Sequence, residues 1–414
     1  MNILIISMSF PYPPKSGGKA RVYNLIKQIS KYHEITLISF IRYDEKPYIP
    51  ELLKYCKIVE TIPVENNFLS KSVRWGRIVY NLFTKTPVEI AAKESQLMAD
   101  KVYEIIKNHD FDIIQAEWIQ MAHYVPFDYL NKKQFRGRLI LVEHDVSFVP
   151  WYRRYLIEKK PLKFLIYNEY KKMKKYEHEN LLKFDEIITM SEIDMNRLLE
   201  LDETLHVNVV PNGVDTEKIS FKLGNRGSNS LLFMGWMKHY PNGDAMRFFI
   251  KEIFPKILLK NQNVKLYIAG MFLPDDINNK IKYQDNIIYC GYIEDILSVL
   301  HKCTVFISPL RIGGGTRLKI LEAMAAGIPV ISTSIGAEGI DIEDGENIVL
   351  ADSTEVFANK TLELLNDNKL QIKIAVNAHE FVEKKYRWNE IGKIMNRIYE
   401  KEYIGIRNEN SNHN

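Results

Sequence analysis

The sequence of 414 residues lacks the signatures of several protein classes. No stretch reaches the ~18 consecutive apolar residues that a membrane-spanning helix requires. The apolar start MNILIISMSF has no basic leader and no small-residue cleavage site, so we interpret it as a strand and not as a signal peptide. The three cysteines, Cys56, Cys290 and Cys303, stand far apart without metal-ligand spacing, which predicts neither disulfides nor zinc and suits a reducing cytosol.

A strong charge of one sign is also absent. The chain has 56 Lys and Arg against 52 Asp and Glu, and this net charge of +4 is too small to indicate a nucleic-acid partner. No Gly-x-Gly-x-x-Gly follows a predicted strand, so a nicotinamide-dependent enzyme is disfavoured. The composition, 46% hydrophobic and 26% charged, is typical of a globular protein, and the length predicts two domains.

Short apolar runs alternate with longer amphipathic stretches along the whole chain. This alternation is typical of parallel strands joined by crossover helices, so we predict an α/β fold with one doubly wound, Rossmann-like sheet in each half. The strands predicted in the first half cover residues 3–8, 35–40, 58–62, 113–116, 139–143, 187–190 and 207–210. Those in the second half cover residues 231–234, 264–269, 287–289, 305–308, 330–333 and 348–350.

Residues 211–230, PNGVDTEKISFKLGNRGSNS, have no apolar periodicity and indicate a linker. We therefore place an N-terminal domain at 1–210 and a C-terminal domain at 211–375. Helices at 376–403 are expected to pack back on the N-terminal domain, and a polar tail at 404–414 is expected to fray. Because ligands bind beyond the carboxyl ends of parallel strands, the two sheets are expected to face an interdomain cleft.

The stretch 308–333, SPLRIGGGTRLKILEAMAAGIPVIST, predicts a strand, a glycine loop, a helix over about 317–326 and a second strand. Thr316 is expected to cap this helix, and Gly327 to end it in the left-handed conformation. The helix N-terminus and the charges of Arg317 and Lys319 together predict an anion site, in the simplest case for phosphate. The alternative is an ordinary strand-to-helix turn.

Glu322 lies within the same predicted helix, one turn after Leu318. Its carboxylate is suited to accept hydrogen bonds from a ribose diol while the first turn holds the phosphates. The alternative is a solvated glutamate that pairs with Arg317 or Lys319.

This stretch resembles the donor-site signature of retaining glycosyltransferase family 4, whose members have the GT-B fold of two Rossmann-like domains. Four further segments resemble the family in the same order: PPKSGGKARVYNLIKQI, VVPNGVD, LLFMGWMKHYPNGDAM and YCGYIEDILSVLHKC. The resemblance implies that the C-terminal domain binds a nucleotide-diphosphate sugar and the N-terminal domain binds the acceptor. It also implies transfer with retention of the anomeric configuration.

Carried over by position, the resemblance implies that Glu322 holds the ribose, as the second glutamate of the family's paired-glutamate motif does. The first glutamate of that motif falls on Gly314, a departure that removes a carboxylate from the sugar hydroxyls. Lys238 is implied as the cation for the diphosphate, with Arg317 as its substitute. The other implied donor contacts come from a loop that cradles sugar and diphosphate and from main-chain groups that read the base: Gly314, Gly315, Thr316, Leu318 and Lys319 in the loop, and Tyr292 and Ile293 at the base.

In the N-terminal domain, Gly17 and Gly18 precede a helix expected to begin near residue 20. They permit close approach to the diphosphate and the reacting sugar, although a simple turn is the alternative. His144 and Asp145 stand at the carboxyl end of a predicted strand. In the family a histidine at this place approaches the donor sugar and supports catalysis, with Asp145 suited to orient it; the alternative is a structural histidine.

Residues 151–183 are rich in bases and aromatic side chains, with ten bases against four acids and a local charge of +6. This pattern predicts a surface for anionic lipid headgroups or a lipid-diphosphate acceptor, and residues 68–85 are a second candidate. The alternative is a solvated helix face. We expect a cytoplasmic protein, peripheral on the inner face of the cell membrane.

Together these features predict a metal-independent hexosyltransferase. It would move a sugar from a nucleotide-diphosphate sugar, UDP being the usual carrier in the family, to a glycan or lipid-linked acceptor in cell-surface polysaccharide or glycolipid synthesis. No cofactor is expected, and no Asp-x-Asp stands near the presumed phosphates to hold a metal. Two alternatives stay open: a non-catalytic nucleotide- or glycan-binding protein of this fold, and a sugar-nucleotide epimerase.

Overall fold

The computed structural model describes residues 1–64, 84–223, 229–282 and 284–411. The chain forms two compact units, one from Met1–Pro211 together with the segment that begins at Trp388, and one from Asn212–Arg387. Each unit is built on a single parallel sheet. The predicted α/β fold class is confirmed.

The sheet of the first unit has seven parallel strands. They are β1 (Asn2–Ser7), β2 (Glu34–Ile41), β3 (Ile58–Pro63), β4 (Ile113–Glu117), β5 (Arg138–Val142), β6 (Glu186–Thr189) and β7 (Val207–Val209). Their order across the sheet is β3-β2-β1-β4-β5-β6-β7. The helices between them are α1 (Gly17–Ile29), α2 (Ile49–Leu52), α3 (Val88–Ala91), α4 (Gln96–Asn108), α5 (Phe127–Lys133), α6 (Phe148–Ile157), α7 (Leu162–Leu181) and α8 (Glu192–Leu201).

The sheet of the second unit has six parallel strands. They are β8 (Ser230–Met234), β9 (Lys265–Ala269), β10 (Ile287–Gly291), β11 (Val305–Ser308), β12 (Val330–Ser332) and β13 (Val349–Leu350), in the order β10-β9-β8-β11-β12-β13. The helices are α9 (Tyr240–Phe248), α10 (Phe254–Lys260), α11 (Asp275–Ile281), α12 (Ile296–Leu300), α13 (Leu318–Ala325), α14 (Ser334–Ala337), α15 (Thr354–Asn366) and α16 (Asn368–Lys385).

Strands inside each sheet are covered on both faces. In β1 the residues from Ile3 to Ile6 are at most 1% exposed, and in β11 Val305, Phe306 and Ile307 are fully buried. A parallel strand buried on both faces has no polar side, which explains why these segments are continuous apolar runs. The sheets therefore place their polar chemistry in the loops at the strand ends.

The last helix, α17 (Trp388–Ser411), belongs to the first unit. It packs against α1, where a Cβ added to Gly392 would lie 2.4 Å from Cβ of Gln28. Arg138 at the start of β5 donates to the carbonyl of Tyr399 at 2.6 Å. Residues far apart in sequence, those before Pro211 and those of α17, thus belong to the same unit.

Two predicted boundaries near the C-terminus are wrong. The second unit continues to Arg387 and does not end at 375, because α16 buries Ile374, Ala378 and Val382 and packs against α13. Of the segment 404–414 predicted as a frayed tail, residues 404–411 continue α17 as far as Ser411, since adding residues to an existing helix costs far less than starting one. Residues 412–414 lie outside the described residues.

Within the described residues, no helix combines the length and the hydropathy that crossing a bilayer would require. The second basic and aromatic candidate, residues 68–85, lies outside the described residues except for positions 84 and 85.

Candidate active site

In each sheet there is one strand from which the chain first adds strands on one side and later adds strands on the other side. β1 lies between β2 and β4, and β8 lies between β9 and β11. Loops that leave such neighbouring strands in opposite directions open a crevice at their carboxyl ends, which is where ligands bind in α/β folds. The predicted site residues of each unit follow these strands or strands at most two places away in the sheet.

In the second unit, a glycine loop joins β11 to α13. Gly313 and Gly315 have φ angles of 123° and 68°, a region that side chains with a Cβ rarely adopt. Arg317 is the N-cap in an extended conformation, so α13 starts at Leu318. The predicted capping role of Thr316 is wrong, because this residue precedes the cap and its Oγ1 donates to the carbonyl of Gly339 at 3.3 Å.

Five main-chain amides of the loop and of the first turn have no hydrogen-bond partner in the described part of the chain: those of Gly314, Gly315, Thr316, Leu318 and Lys319. The first amides of a helix have no acceptor within the helix and carry part of the positive end of its dipole. The loop therefore has the hydrogen-bond donors that an anion site requires. These residues are the predicted phosphate cradle.

The far end of α13 forms as predicted. Gly327 has a φ of 70°, its amide donates to the carbonyl of Met324 at 2.9 Å, and the amide of Ile328 donates to Ala323 at 2.9 Å. These bonds close the last turn and turn the chain into β12. The helix is thus fixed at its C-terminus and by its buried apolar face, which leaves its N-terminus for a ligand.

The Glu322 carboxylate has no hydrogen bond or ion pair with any described residue, so the alternative of pairing with Arg317 or Lys319 is wrong. Burial raises the pKa of Glu322 to about 7, although the nearby Lys319 charge opposes the shift. The residue is half-buried, and a partly buried carboxylate without a partner has unused acceptors. It is suited to accept from a pair of hydroxyl groups.

Lys319 reaches across to the loop after β8. Its Nζ donates to the carbonyl of Met234 at 3.0 Å and to Oδ1 of Asn242 at 2.9 Å, and it lies 4.4 Å from the centre of the Phe233 ring. Burial, followed by repulsion from Arg317, lowers the pKa of Lys319 to about 7. The lysine joins α13 to the end of β8 and holds a titratable charge beside the loop.

Arg317 is turned onto its own loop. Its Nη1 donates to the carbonyl oxygens of Gly314 and Gly315. These bonds engage the loop carbonyls, and they place the guanidinium charge within a few residues of the unpaired amides.

Two other predicted donor contacts follow β8 and β10, the strands on either side of β9. Lys238 follows β8, is exposed, and has its Nζ 5.5 Å from the centre of the Phe272 ring. Tyr292 and Ile293 directly follow β10, and Tyr292 is exposed. Their contacts with a donor stay predictions.

In the first unit, α1 begins at Gly17 and not near residue 20, because Ser16 is already extended and acts as the N-cap. Gly18 packs directly on the indole of Trp118, where a Cβ would lie only 2.4 Å from a ring carbon. Glycine is therefore required at 18 for contact with a protein side chain. Gly17 stands beside it as the first residue of the helix.

Trp118 itself has a φ of 74°, which is unusual for a bulky residue and costs backbone energy. Its ring stacks on the imidazole of His144, with 3.6 Å between ring centres and 17° between planes. Such strain is found where the surrounding structure fixes a functional conformation. Gly18, Trp118 and His144 thus form one packed group at the carboxyl ends of β4 and β5.

His144 is 8% exposed, and its Nε2 lies 2.6 Å from Oε2 of Glu117. The residue that binds Nε2 is Glu117, at the end of the neighbouring strand β4, and not the adjacent Asp145 that was predicted to orient the ring. Burial lowers the pKa of His144, the Glu117 carboxylate opposes the shift, and the Arg21 charge adds to it. The His144 imidazole is therefore buried and fixed by its contacts with Glu117 and Trp118, unlike a surface histidine.

Three members of these groups were missed from the sequence: Glu117, Trp118 and Asn242. Glu117 and Trp118 do follow a predicted strand, and polar or aromatic residues at that place are a signal for a site. Asn242 carries no such signal, since its role depends on the position of Lys319. In the described residues, no cluster of three or more His, Cys, Asp or Glu side chains is arranged to hold a metal ion.

Two family models match the chain. Residues 15–218 match the model described as Glycosyltransferase Family 4, and residues 228–367 match the model described as Glycosyl transferases group 1. The two matches cover most of both units and follow each other in the order that the resemblance implies.

Among curated relatives, the chain is 24% identical over 395 residues to a 44.6 kDa protein in the cps region of Klebsiella pneumoniae, covering 93% of this chain and 96% of that protein. It is 29% identical over 226 residues to a glycosyltransferase of Methanocaldococcus jannaschii, covering 52% and 59%. It is also 24% identical over 200 residues to phosphatidyl-myo-inositol mannosyltransferase of Mycolicibacterium smegmatis, covering 46% and 51%. The chain thus spans only about half the length of the last two relatives.

Solved structures share the fold over nearly the whole chain. Sucrose-phosphate synthase from Thermosynechococcus elongatus gives a TM-score of 0.73 at 15% identity, covering 98% of this chain and 100% of that one. TarM gives 0.70 at 15% identity over 96% and 98%. The Anabaena protein HepE, solved with UDP and glucose, gives 0.68 at 14% identity over 97% and 100%.

Proposed function

We propose that this chain, which belongs to the family 4-like glycosyltransferases of the GT-B fold, moves a sugar from a nucleotide-diphosphate sugar to a glycan or lipid-linked acceptor with retention. The observation that carries the donor class is the glycine loop with its unpaired amides, followed one turn later by the unpaired Glu322 carboxylate. Diphosphate needs donors and ribose needs acceptors. UDP is the proposed carrier, supported by the similarity to HepE, whose structure was solved with UDP and glucose.

The chemistry requires stabilisation of a departing diphosphate and of an oxocarbenium-like sugar. We assign the diphosphate to the amides from Gly314 to Lys319, and the ribose hydroxyls to Glu322. Lys238 and Arg317 would supply the cations, Arg317 by exchanging its loop carbonyls for phosphate oxygens. Preorganised amides and charges of this kind stabilise developing negative charge without reorganisation of the site.

His144 is proposed to hydrogen bond with the reacting sugar, as the family resemblance implies. Its ring is suited to this role because Trp118 and Glu117 hold it on one face and at one nitrogen. Gly314 replaces a carboxylate of the family pattern, so hydroxyl groups of the donor sugar are left to main-chain groups. The proposed pathway is cell-surface polysaccharide or glycolipid synthesis.

A thermal-shift panel of UDP, GDP, ADP and dTDP sugars tests the donor class. A donor at 100 times its Kd should stabilise the protein by ~2.7 kcal/mol. Glu322→Ala and Arg317→Ala should each reduce the shift, whereas His144→Ala should keep it and slow turnover. Glu363→Ala on α15 is the matched control, since Glu363 is exposed and pairs with Lys360 on the surface of the same unit.

No shift with any of these sugars would reject the proposal. A shift without transfer to any acceptor would favour a non-catalytic binding protein, and conversion of the donor sugar itself would favour an epimerase.

We also propose that the first unit contacts anionic lipid through the α6–α7 hairpin. Large apolar side chains are exposed along it, among them Leu156 at 54% and Phe164 at 63%. Lysines flank them, and Nζ of Lys163 lies 4.8 Å from the centre of the Tyr155 ring. Apolar residues surrounded by bases are typical of surfaces that bind lipid headgroups.

Sedimentation with vesicles tests the lipid proposal. The protein should sediment with phosphatidylserine-containing vesicles and much less with pure phosphatidylcholine, and the variant Leu156→Ser/Phe164→Ser should lose most of this binding. Leu259→Ser is the control, because Leu259 is 84% exposed in the second unit. Equal binding to both vesicles, or equal loss in the control, would contradict the proposal.

A further inference from the structure

A chain of buried polar side chains leads from α17 to His144. The Tyr399 hydroxyl donates to Oε1 of Gln115 at 2.5 Å, and Nε2 of Gln115 donates to Oε1 of Glu117 at 2.7 Å. The other oxygen of Glu117 lies 2.6 Å from Nε2 of His144. Tyr399 is fully buried, and Gln115 and Glu117 are each 1% exposed. This series of hydrogen bonds therefore lies entirely inside the first unit.

The direction of donation is fixed from the carboxylate end. An ionised carboxylate only accepts, so Gln115 points its amide nitrogen at Glu117 and its amide oxygen at Tyr399, whose hydroxyl donates to it. The carboxylate then has one oxygen occupied and one oxygen left, and that oxygen faces the imidazole. An ionised carboxylate only accepts, so the proton of the neutral ring must be on Nε2.

The second ring nitrogen, Nδ1, has no hydrogen-bond partner among the described residues. Trp118 covers one face of the ring, so rotation of the imidazole about its bond is restricted. The charged groups that face this region are Glu117 on β4 and Arg21 on α1, with Arg138 on β5 near Tyr399. The arrangement fixes both the tautomer and the direction of the ring.

We infer that Tyr399 and Gln115 are positioning residues that hold Glu117 on Nε2 of His144 and so reserve Nδ1, as an acceptor, for the substrate. The inference rests on the proposed function for its catalytic meaning. It makes the C-terminal helix part of the site, although no residue of that helix follows a strand end. A hydroxyl group near the end of the chain would thereby set the proton of a histidine at position 144.

The test is histidine NMR on the full chain labelled with 15N-histidine, without any ligand. The His144 signals are assigned by their loss in His144→Asn. The wild type should show the neutral tautomer with the proton on Nε2. In Tyr399→Phe a second tautomer with the proton on Nδ1 should appear, and the pKa of His144 should change by ~0.5 unit or more.

Tyr124→Phe is the matched control, because Tyr124 is also buried in the first unit. Its hydroxyl donates to the carbonyl of Lys93, which is not part of the hydrogen-bond series that leads to His144. It should leave the His144 signals unchanged. Wild-type signals in Tyr399→Phe, or the same change in Tyr124→Phe, would overturn the inference. If Tyr399→Phe does not fold, Gln115→Met is measured in its place and should give the same second tautomer.

With a donor identified, kcat of Tyr399→Phe should fall ~10-fold while the KM for the donor stays within about twofold. The spectrum needs no donor, so it decides the tautomer whether or not a nucleotide sugar binds. Absence of a thermal shift with every nucleotide sugar would reject the proposed function alone.

Discussion

Glu322 and Lys319 lie on neighbouring turns of α13, and burial moves the pKa of each to about 7 from opposite directions. The position of Glu322 could be predicted because helical spacing alone places it one turn beyond the loop. The partner of His144 could not, since Glu117 lies on another strand and the sequence offered the adjacent Asp145. Local spacing is readable from a sequence, whereas pairing between strands depends on how the sheet assembles.

The two shifted pKa values predict that donor affinity is highest near neutral pH. Ribose hydroxyls bind the ionised Glu322 better, so affinity should fall as the pH drops below about 7. Diphosphate binds the protonated Lys319 better, so affinity should also fall as the pH rises above about 7. Titration calorimetry with the nucleotide sugar of largest thermal shift measures this bell-shaped dependence.

Single variants separate the two sides of the pH profile. Glu322→Gln should remove the loss of affinity at acid pH, and Lys319→Met should remove the loss at alkaline pH. A Kd that is constant between about pH 5.5 and about pH 8.5 would show that neither group titrates against the ligand.

Among the elements, the strands could be predicted to within two residues at either end. Buried parallel strands such as β1 and β11 are apolar without interruption and are bounded by polar loops, so their limits are visible. The start of α1 was less visible, because Gly17 and Gly18 have low helix propensity. Packing against Trp118 stabilises them in the helix, and that contact comes from a residue far along the chain.

At the level of the β11–α13 connection, we predict protection of main-chain amides by a donor. The unpaired amides of this connection should exchange their hydrogens quickly in the free protein and slowly once phosphate oxygens accept from them. They are those of Gly314, Gly315, Thr316, Leu318 and Lys319. Hydrogen exchange read by mass spectrometry over residues 309–322, with and without UDP, measures the change.

The corresponding peptide around β12 and Gly336 is the internal control, because Gly336 already donates to Thr333 at 2.9 Å. Protection that is equal in both peptides, or absent in the loop, would contradict a phosphate cradle in this place.

The whole molecule consists of two units that the linker composition near residue 211 predicted well. The return of the chain to the first unit at Trp388 was not visible at that residue. α16 and α17 are both amphipathic and only Tyr386 and Arg387 separate them, so no Pro or Gly marks the boundary. Which unit a helix covers depends on tertiary packing, and its sequence carries only the amphipathic pattern.

For the intact enzyme we predict activity without a metal ion. Amides and fixed cations are proposed to stabilise the diphosphate, so transfer by the purified protein should continue in excess chelator at a rate within about twofold of the untreated rate. Loss of turnover in chelator, with recovery on addition of Mg²⁺ or Mn²⁺, would contradict the prediction. A metal-dependent transferase treated in parallel verifies that the chelator acts.

The position of α17 also has a consequence for biosynthesis. Arg138 and Gln115 emerge early from the ribosome. Tyr399, whose carbonyl binds Arg138 and whose hydroxyl binds Gln115, is made only after the entire second unit. The second unit, Asn212–Arg387, can therefore complete its own sheet before α17 has been added to the nascent first unit. A ribosome that stops before Tyr399 would release a chain whose histidine at position 144 has never received its final partner network.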